Sequence, residues 1–141
     1  MSTTRIATTQ WKGSFSKGAG QVVFDSSELG PFHVMAAVGP VEIPGRTSPM
    51  ELLAAAHSAC VGITLAYMLT KCGHPAEWLD TSAEVDLDHV EGITGIRLTV
   101  RGLVPGISDE EFVSMAALVA DSCPVGRALS GIDVSLDAAT S

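Results

Sequence analysis

The residues best suited to chemistry in this 141-residue chain are two of its three cysteines, Cys60 and Cys123. Cys60 lies near the middle of a long apolar stretch, three residues after His57. Cys123 precedes Pro124 at the junction of two predicted helices, and Arg127 follows one turn later. A thiolate is a nucleophile and a redox-active group, so this pattern indicates thiol redox chemistry. The alternative is that both cysteines are small buried hydrophobic residues, which is more common for any single cysteine.

Local features predict different acidities for the two thiols. Cys123 is a candidate helix N-cap, where the positive end of the helix dipole and nearby Arg127 would stabilise a thiolate. Cys60 lies about three turns into its helix, beyond the useful range of that dipole, so Cys123 is predicted to be the more acidic thiol. His57 shares a helix face with Cys60 and could act as its general base, or could instead bond a carbonyl or carboxylate. Cys72 has no comparable setting.

Composition excludes several classes of function. The chain has 8 basic and 16 acidic residues, a net charge of −8 and no basic cluster, which disfavours binding to nucleic acid and to anionic membranes. The first residues lack the pattern of a signal peptide, and the cysteines are widely spaced, so we expect a cytoplasmic protein. No C-x-x-C or H-x-x-x-H spacing, phosphate loop or dinucleotide motif occurs, so neither a metal nor a cofactor is expected.

The segment 52–70 contains no formally charged residue and is as long as a membrane span. His57, Ser58 and Thr64 interrupt its apolar character, and strand-like segments flank it. We therefore expect a helix buried at the centre of a domain or dimer. Its start is marked by Ser48 as N-cap, proline at the first helical position and Glu51 completing a capping box, and it should end near Lys71.

The remaining elements are short and alternate in type. The hydrophobic pattern predicts strands at 4–11, 20–24, 32–38, 83–88, 96–101 and 132–136, and helices at 108–122 and 124–130. The strands at 83–88 and 96–101 form a predicted hairpin whose outward acidic and basic side chains pair across strands. This order is typical of a single α+β domain over residues 1–141.

Two segments give the sequence a family resemblance. They are Thr47-Ser-Pro-Met-Glu-Leu-Leu-Ala-Ala-Ala-His-Ser-Ala-Cys60 and Cys123-Pro-Val-Gly-Arg-Ala-Leu. With the opening Trp11-Lys-Gly and the order of elements, the chain resembles the OsmC/Ohr family of osmotically inducible and organic hydroperoxide resistance proteins, in particular the OsmC branch. The resemblance implies an intertwined α+β homodimer with a long central buried helix, antiparallel sheets and active sites at the subunit interface.

The same resemblance implies a cysteine-based peroxidase that reduces organic hydroperoxides in stress defence. Cys60 would be the attacking thiolate, which reverses the acidity ranking from local features, and Cys123 would resolve the sulfenic acid as a disulfide. An external dithiol would restore both thiols, and no metal, flavin or haem is implied.

The chain departs from the family pattern at two supporting positions. Met50 occupies the usual position of a glutamate, and the neighbouring Glu51 is better explained by helix capping. The arginine of the family is absent from segments 12–19 and 32–38, so Arg46 is the nearest substitute, with Arg127 as a further candidate for stabilising a thiolate. These departures leave two alternatives open: a small-molecule-binding dimer without peroxidase activity, and a thiol redox sensor.

Overall fold

The computed structural model describes residues 2–36 and 43–141, which form two compact units, Met1–Leu52 and Leu53–Ser141. In chain order the elements are β1 (Thr8–Lys12), β2 (Ala19–Phe24), β3 (Leu29–Val34), β4 (Arg46–Thr47), α1 (Pro49–Lys71), β5 (Trp78–Asp88), β6 (Gly92–Leu103), α2 (Asp109–Ser122), α3 (Pro124–Ala128) and β7 (Asp133–Thr140). The α+β prediction is therefore confirmed.

The first unit contains a four-stranded sheet in the order β1-β2-β3-β4. Strands β1, β2 and β3 pair antiparallel, whereas β4 pairs parallel to β3. The strand predicted at 32–38 begins earlier, at Leu29, and its described part ends at Val34; Ala37 and Val38 lie outside the described residues. The two-residue strand β4 was not predicted, because so short a segment carries no periodicity.

Helix α1 begins and ends close to the predicted residues. The Ser48 hydroxyl accepts a hydrogen bond from the Glu51 N–H at 3.2 Å, which confirms half of the capping box. The Glu51 carboxylate, however, accepts from the Thr47 hydroxyl at 2.7 Å instead of completing the box. At the other end Gly73 has a φ of 86°, and the His74 N–H bonds the Leu69 carbonyl at 2.9 Å. This Schellman-type turn explains why the helix stops at Lys71.

Only one face of α1 is buried within this chain. The buried residues recur every fourth position, at His57, Val61, Leu65 and Leu69, and the three aliphatic ones join the core. The opposite face exposes Ile63 by 72% and Tyr67 by 62%, so burial of the helix at the centre of a dimer stays a prediction. By length and composition α1 could cross a membrane, a property that it shares with core helices of soluble proteins, and 22% of its most apolar stretch is buried.

The second unit contains a three-stranded sheet in the order β5-β6-β7. The predicted hairpin is confirmed as the antiparallel pair β5–β6, but β6 and β7 are parallel. The prediction of antiparallel sheets is thus wrong for one strand pair in each sheet. Strand β7 continues to Thr140, beyond the predicted end at 136, because its ladder with β6 extends to Gly102.

The outward-facing charged side chains of this sheet form ion pairs, as the alternation predicted, but Arg101 has a different partner. Arg97 on β6 binds Glu84 at 2.9 Å and also Asp86, both on β5. Arg101 binds Asp137 on β7 at 3.1 Å rather than a residue of β5. All these side chains are substantially exposed, so each pair contributes little stability.

The inward face of the sheet forms the core with one face of α1 and with α2. Its members are apolar side chains that are nearly or completely buried: Val61, Leu65, Leu69, Ile96, Leu98, Val100, Val104, Phe112, Ala116, Val119, Ala120 and Cys123. Helix α2 starts as predicted, because the Ser108 hydroxyl accepts from the Glu111 N–H at 3.2 Å. Helix α3 is shorter than predicted, since the backbone leaves the helical conformation at Leu129.

The junction between α2 and α3 leaves no room for a side chain at Gly126. A Cβ there would lie 2.2 Å from the Ala120 carbonyl oxygen and 3.1 Å from Cys123 Sγ. We therefore expect Gly126→Ala to lower the free energy of unfolding by about 1–3 kcal/mol, as overpacking does. Urea unfolding measures the change. Gly131→Ala is the control, because nothing lies within 4 Å of the added methyl group; equal destabilisation of the two variants would contradict this packing.

Candidate active site

Cys60 lies on α1 where the buried face of the helix meets its exposed face. Its side chain is partly buried and packs against the core of the second unit. Helix α1 can approach the sheet closely here because Gly62 has no side chain: a Cβ on it would lie 2.9 Å from Thr81 Oγ1. The Thr81 hydroxyl donates to the Ser58 carbonyl at 2.8 Å, which ties this turn of α1 to β5. The Cys60 thiol is therefore both held by the core and open to solutes.

Cys123 lies at the junction of α2 and α3 and is 1% exposed. Its backbone is extended, and its sulfur accepts a hydrogen bond from the Gly126 N–H at 3.3 Å. The prediction of an N-cap is confirmed. A cap made by sulfur is permitted here because Gly126 brings its N–H close to the sulfur without adding bulk.

The expected lowering of the Cys123 pKa is wrong. Burial raises the pKa of this thiol, and contact with Cys60 raises it further, while the N–H groups of Gly126 and Val125 lower it only in part. The dipole of a five-residue helix thus does not offset the loss of water around the sulfur. Cys123 is held as a neutral thiol.

The structure brings the two thiols together. Cys60 packs against the buried cluster that contains Cys123, close enough for its thiol to raise the Cys123 pKa, and both are free thiols. The cysteines are 63 positions apart in sequence and on different helices, so their contact depends on how α1 and the α2–α3 junction pack on the common core. Chemically, the pair combines one accessible sulfur with one sulfur shielded from solvent.

His57 is completely buried, and neither ring nitrogen has a hydrogen-bond partner among the described residues. The predicted bond to a carbonyl or carboxylate is therefore wrong for this part of the chain, and the reduced Cys60 thiol is not bonded to the ring either. Burial lowers the pKa of His57, which keeps the imidazole neutral. Each unpaired buried nitrogen costs about 1–3 kcal/mol, so the fold retains an expensive group beside Cys60.

The remaining predicted residues are Arg46 and Glu51 in the first unit and Arg127 in the second. Arg46 and Glu51 belong to the first unit, where both line a cavity of about 690 Å³ whose walls include Phe24 and Phe32. Support of the Cys60 thiolate by Arg46 or Glu51 stays a prediction. Arg127 is exposed on α3, and its proposed effect on a thiolate stays a prediction as well.

Three residues that position the thiols were not singled out from sequence. Gly62 and Thr81 set the approach of α1 to β5, and Gly126 supplies the N–H for the Cys123 cap. Only Gly126 has a local signal, since it lies within the Cys123-Pro-Val-Gly segment. In residues 2–36 and 43–141, no group of three or more His, Cys, Asp or Glu side chains is arranged to hold a metal ion.

The buried neutral His57 should make stability depend on pH. The unfolded chain binds a proton near the usual histidine pKa of 6.5, whereas the folded protein resists protonation because burial lowers the pKa. The unfolded state then holds more protons in acid, so the free energy of unfolding should fall as the pH drops below 6.5, by at most about 1.4 kcal/mol per pH unit. Urea unfolding over a pH series measures this slope. The slope should disappear in His57→Leu. It should persist in the control His89→Gln, a change in the exposed β5–β6 turn. An equal slope in wild type and His57→Leu would contradict an origin in His57.

The chain is similar to known proteins along nearly its whole length. Residues 43–137 match the family model described as OsmC-like protein. Over 132 residues the chain is 33% identical to Peroxiredoxin OsmC of Escherichia coli (strain K12), covering 90% of each sequence.

Solved structures share the fold at lower sequence identity. The OsmC-like protein of Mycoplasma pneumoniae has a TM-score of 0.78 at 16% identity, covering 99% of each chain. An organic hydroperoxide resistance protein of Elizabethkingia anophelis has a TM-score of 0.74 at 22% identity, covering 100% of each chain. The fold is therefore the OsmC-like fold and, with a matching family model and a relative at 33% identity, this chain belongs to the OsmC family.

Proposed function

We propose that this protein is a thiol-dependent peroxidase that reduces organic hydroperoxides through Cys60 and Cys123. The observation that carries the proposal is the contact between a partly exposed thiol and a buried one. The names of relatives point the same way, since one is a peroxiredoxin and another an organic hydroperoxide resistance protein.

Cys60 performs the first step, because a hydroperoxide can reach its sulfur but cannot reach the buried sulfur of Cys123. The Cys60 thiolate attacks the terminal oxygen of the hydroperoxide, the O–O bond breaks, and the alkoxide takes a proton and leaves as an alcohol. Cys60 becomes a sulfenic acid.

The second step belongs to Cys123, which already lies against Cys60. Its sulfur attacks the Cys60 sulfur, and the sulfenic oxygen leaves as water with the proton that Cys123 loses. The raised pKa of Cys123 keeps this thiol protonated until then. An external dithiol reduces the resulting disulfide by exchange, in a reducing cytoplasm, and these steps require no metal, flavin or haem.

The proposal is tested by measuring consumption of an alkyl hydroperoxide in the presence of a dithiol. Cys60→Ser should abolish turnover. In the absence of dithiol, Cys123→Ser should consume one equivalent and accumulate sulfenic acid at Cys60, visible by mass spectrometry. Cys72→Ser is the matched control and should retain full activity, because Cys72 is exposed and separate from the pair.

Two results would redirect the interpretation. Undiminished turnover in Cys60→Ser would contradict the enzyme and favour a small-molecule-binding protein. Formation of the Cys60–Cys123 disulfide without renewed reduction by any dithiol would instead favour a redox sensor.

The assembly that we propose is a homodimer. The exposed face of α1 carries Ala59, Ile63 and Tyr67 in one line, and Trp78 at the start of β5 borders the same shallow groove as Ala59 and Ile63. Apolar surface of this extent is unfavourable in water, so a second copy is the expected cover.

The dimer can be tested with a charge placed on the exposed face of α1. Ile63→Glu should shift the protein from dimer to monomer in light scattering at micromolar concentration, because a buried unpaired carboxylate opposes association. Val90→Glu is the control: Val90 is 94% exposed in the β5–β6 turn and lies on another surface. A wild-type monomer, or an unchanged dimer in Ile63→Glu, would contradict this interface.

A further inference from the structure

Within the part of the chain that the structure describes, the His57 ring has no hydrogen-bond partner. Its neighbours on the buried face of α1 are Val61, Leu65 and Leu69, all apolar, and an apolar residue would satisfy the same position. Both nitrogens of His57 are buried without partners among the described residues. Buried polar groups are almost always hydrogen-bonded, so a group left unpaired in one state of a protein calls for a partner in another.

The nearest reactive atom along the helix is the Cys60 sulfur. Residues three apart on a helix have Cβ atoms about 5–6 Å apart, and helical side chains lean toward the N-terminus. The Cys60 side chain therefore leans over the turn that contains His57. In the reduced protein the sulfur forms no hydrogen bond with the ring.

Oxidation of Cys60 to a sulfenic acid adds an oxygen that can form a hydrogen bond with His57. The new sulfenic oxygen extends from a partly buried sulfur and needs a hydrogen-bond partner of its own. Two neighbouring hydroxyls already donate their protons, Thr81 to the Ser58 carbonyl and Ser58 to the Ala55 carbonyl. The Gly126 N–H is occupied by Cys123. Among the described residues both nitrogens of the buried His57 ring are unpaired, so the ring can donate to or accept from a sulfenic group.

We propose that His57 is a further catalytic residue, which holds the sulfenic oxygen of oxidised Cys60. A neutral imidazole has one N–H donor and one acceptor nitrogen, so it can bond either a sulfenic acid or a sulfenate. This role rests on the proposed peroxidase function and extends it to the intermediate.

The hydrogen bond from His57 affects both reactions of the sulfenic acid, disulfide formation with Cys123 and further oxidation to sulfinic acid. When Cys123 attacks, the S–S bond forms and the S–O bond breaks, and the departing oxygen becomes water with the proton lost by Cys123. An N–H from His57 stabilises the departing oxygen. When Cys123 is absent, the same bond makes the sulfenic acid less nucleophilic and slows its oxidation by a second hydroperoxide to sulfinic acid.

The test follows Cys60 in the Cys123→Ser background, where the sulfenic acid persists. One equivalent of alkyl hydroperoxide forms it, an excess then drives it to sulfinic acid, and mass spectrometry follows both. His57→Leu should speed sulfinic acid formation about threefold to tenfold, the effect of one lost hydrogen bond. His57→Gln should restore most of the protection. With Cys123 present, His57→Leu should slow disulfide closure by a similar factor.

Alkylation of reduced Cys60 by iodoacetamide separates this role from a structural one. Loosening of α1 would speed alkylation and overoxidation together, whereas the proposed bond exists only after oxidation, so His57→Leu should alter overoxidation alone. Equal overoxidation rates for His57, Leu and Gln would overturn the role of His57 while leaving the peroxidase intact. Absence of sulfenic acid in the Cys123→Ser single variant would overturn both.

A second measurement needs no substitution at His57. In Cys123→Ser protein labelled with ¹⁵N-histidine, one equivalent of hydroperoxide should shift a ring nitrogen of His57, and dithiol should reverse the shift. Unchanged His57 nitrogen signals on formation of the sulfenic acid would overturn the proposal.

Discussion

The close approach of α1 to β5 sets the positions of Cys60 and His57 in the candidate site. A side chain at Gly62 would meet the Thr81 hydroxyl, and that hydroxyl bonds the Ser58 carbonyl of the same helical stretch. These contacts fix the rotation of α1, so that His57 and Val61 face inward while Cys60 lies at the edge of the core. A different rotation would bury Cys60 away from solutes or separate it from Cys123.

Desolvation, rather than the helix dipole, decides the state of Cys123. The thiol has the position that often produces an acidic cysteine, an N-cap with a backbone N–H on its sulfur. Its near-complete burial has the larger effect, because a thiolate there would lose water that a single N–H does not replace. For the proposed mechanism this is useful: a resolving thiol that stays protonated does not compete with Cys60 for the hydroperoxide.

The single chain has two energetically unfavourable features: an exposed apolar helix face and a buried histidine without hydrogen bonds. In residues 2–36 and 43–141, one apolar face of α1 is uncovered and the buried His57 ring has no hydrogen bond. The first costs free energy through exposed hydrocarbon, and the second through lost hydrogen bonds. A homodimer would cover the apolar face of α1, and the oxidised intermediate would give His57 a hydrogen-bond partner. Each proposal therefore rests on a free-energy cost in the reduced single chain.

Most of the helices and strands, and the two cysteines proposed to react, could be picked out from the sequence alone, because these features follow local rules. Capping at Ser48, the start of α2 at residue 108, the end of α1 near Lys71 and the alternation in β5 and β6 follow from local signals, and each was confirmed. The motifs around the two cysteines also sufficed to recognise the family. The neighbours of each group were decided by the tertiary structure. The parallel pairing of β6 with β7, the burial that raises the Cys123 pKa and the missing partners of His57 all involve residues distant in sequence. No local pattern encodes such contacts, since they arise only when separate elements pack on one core and exclude water between them.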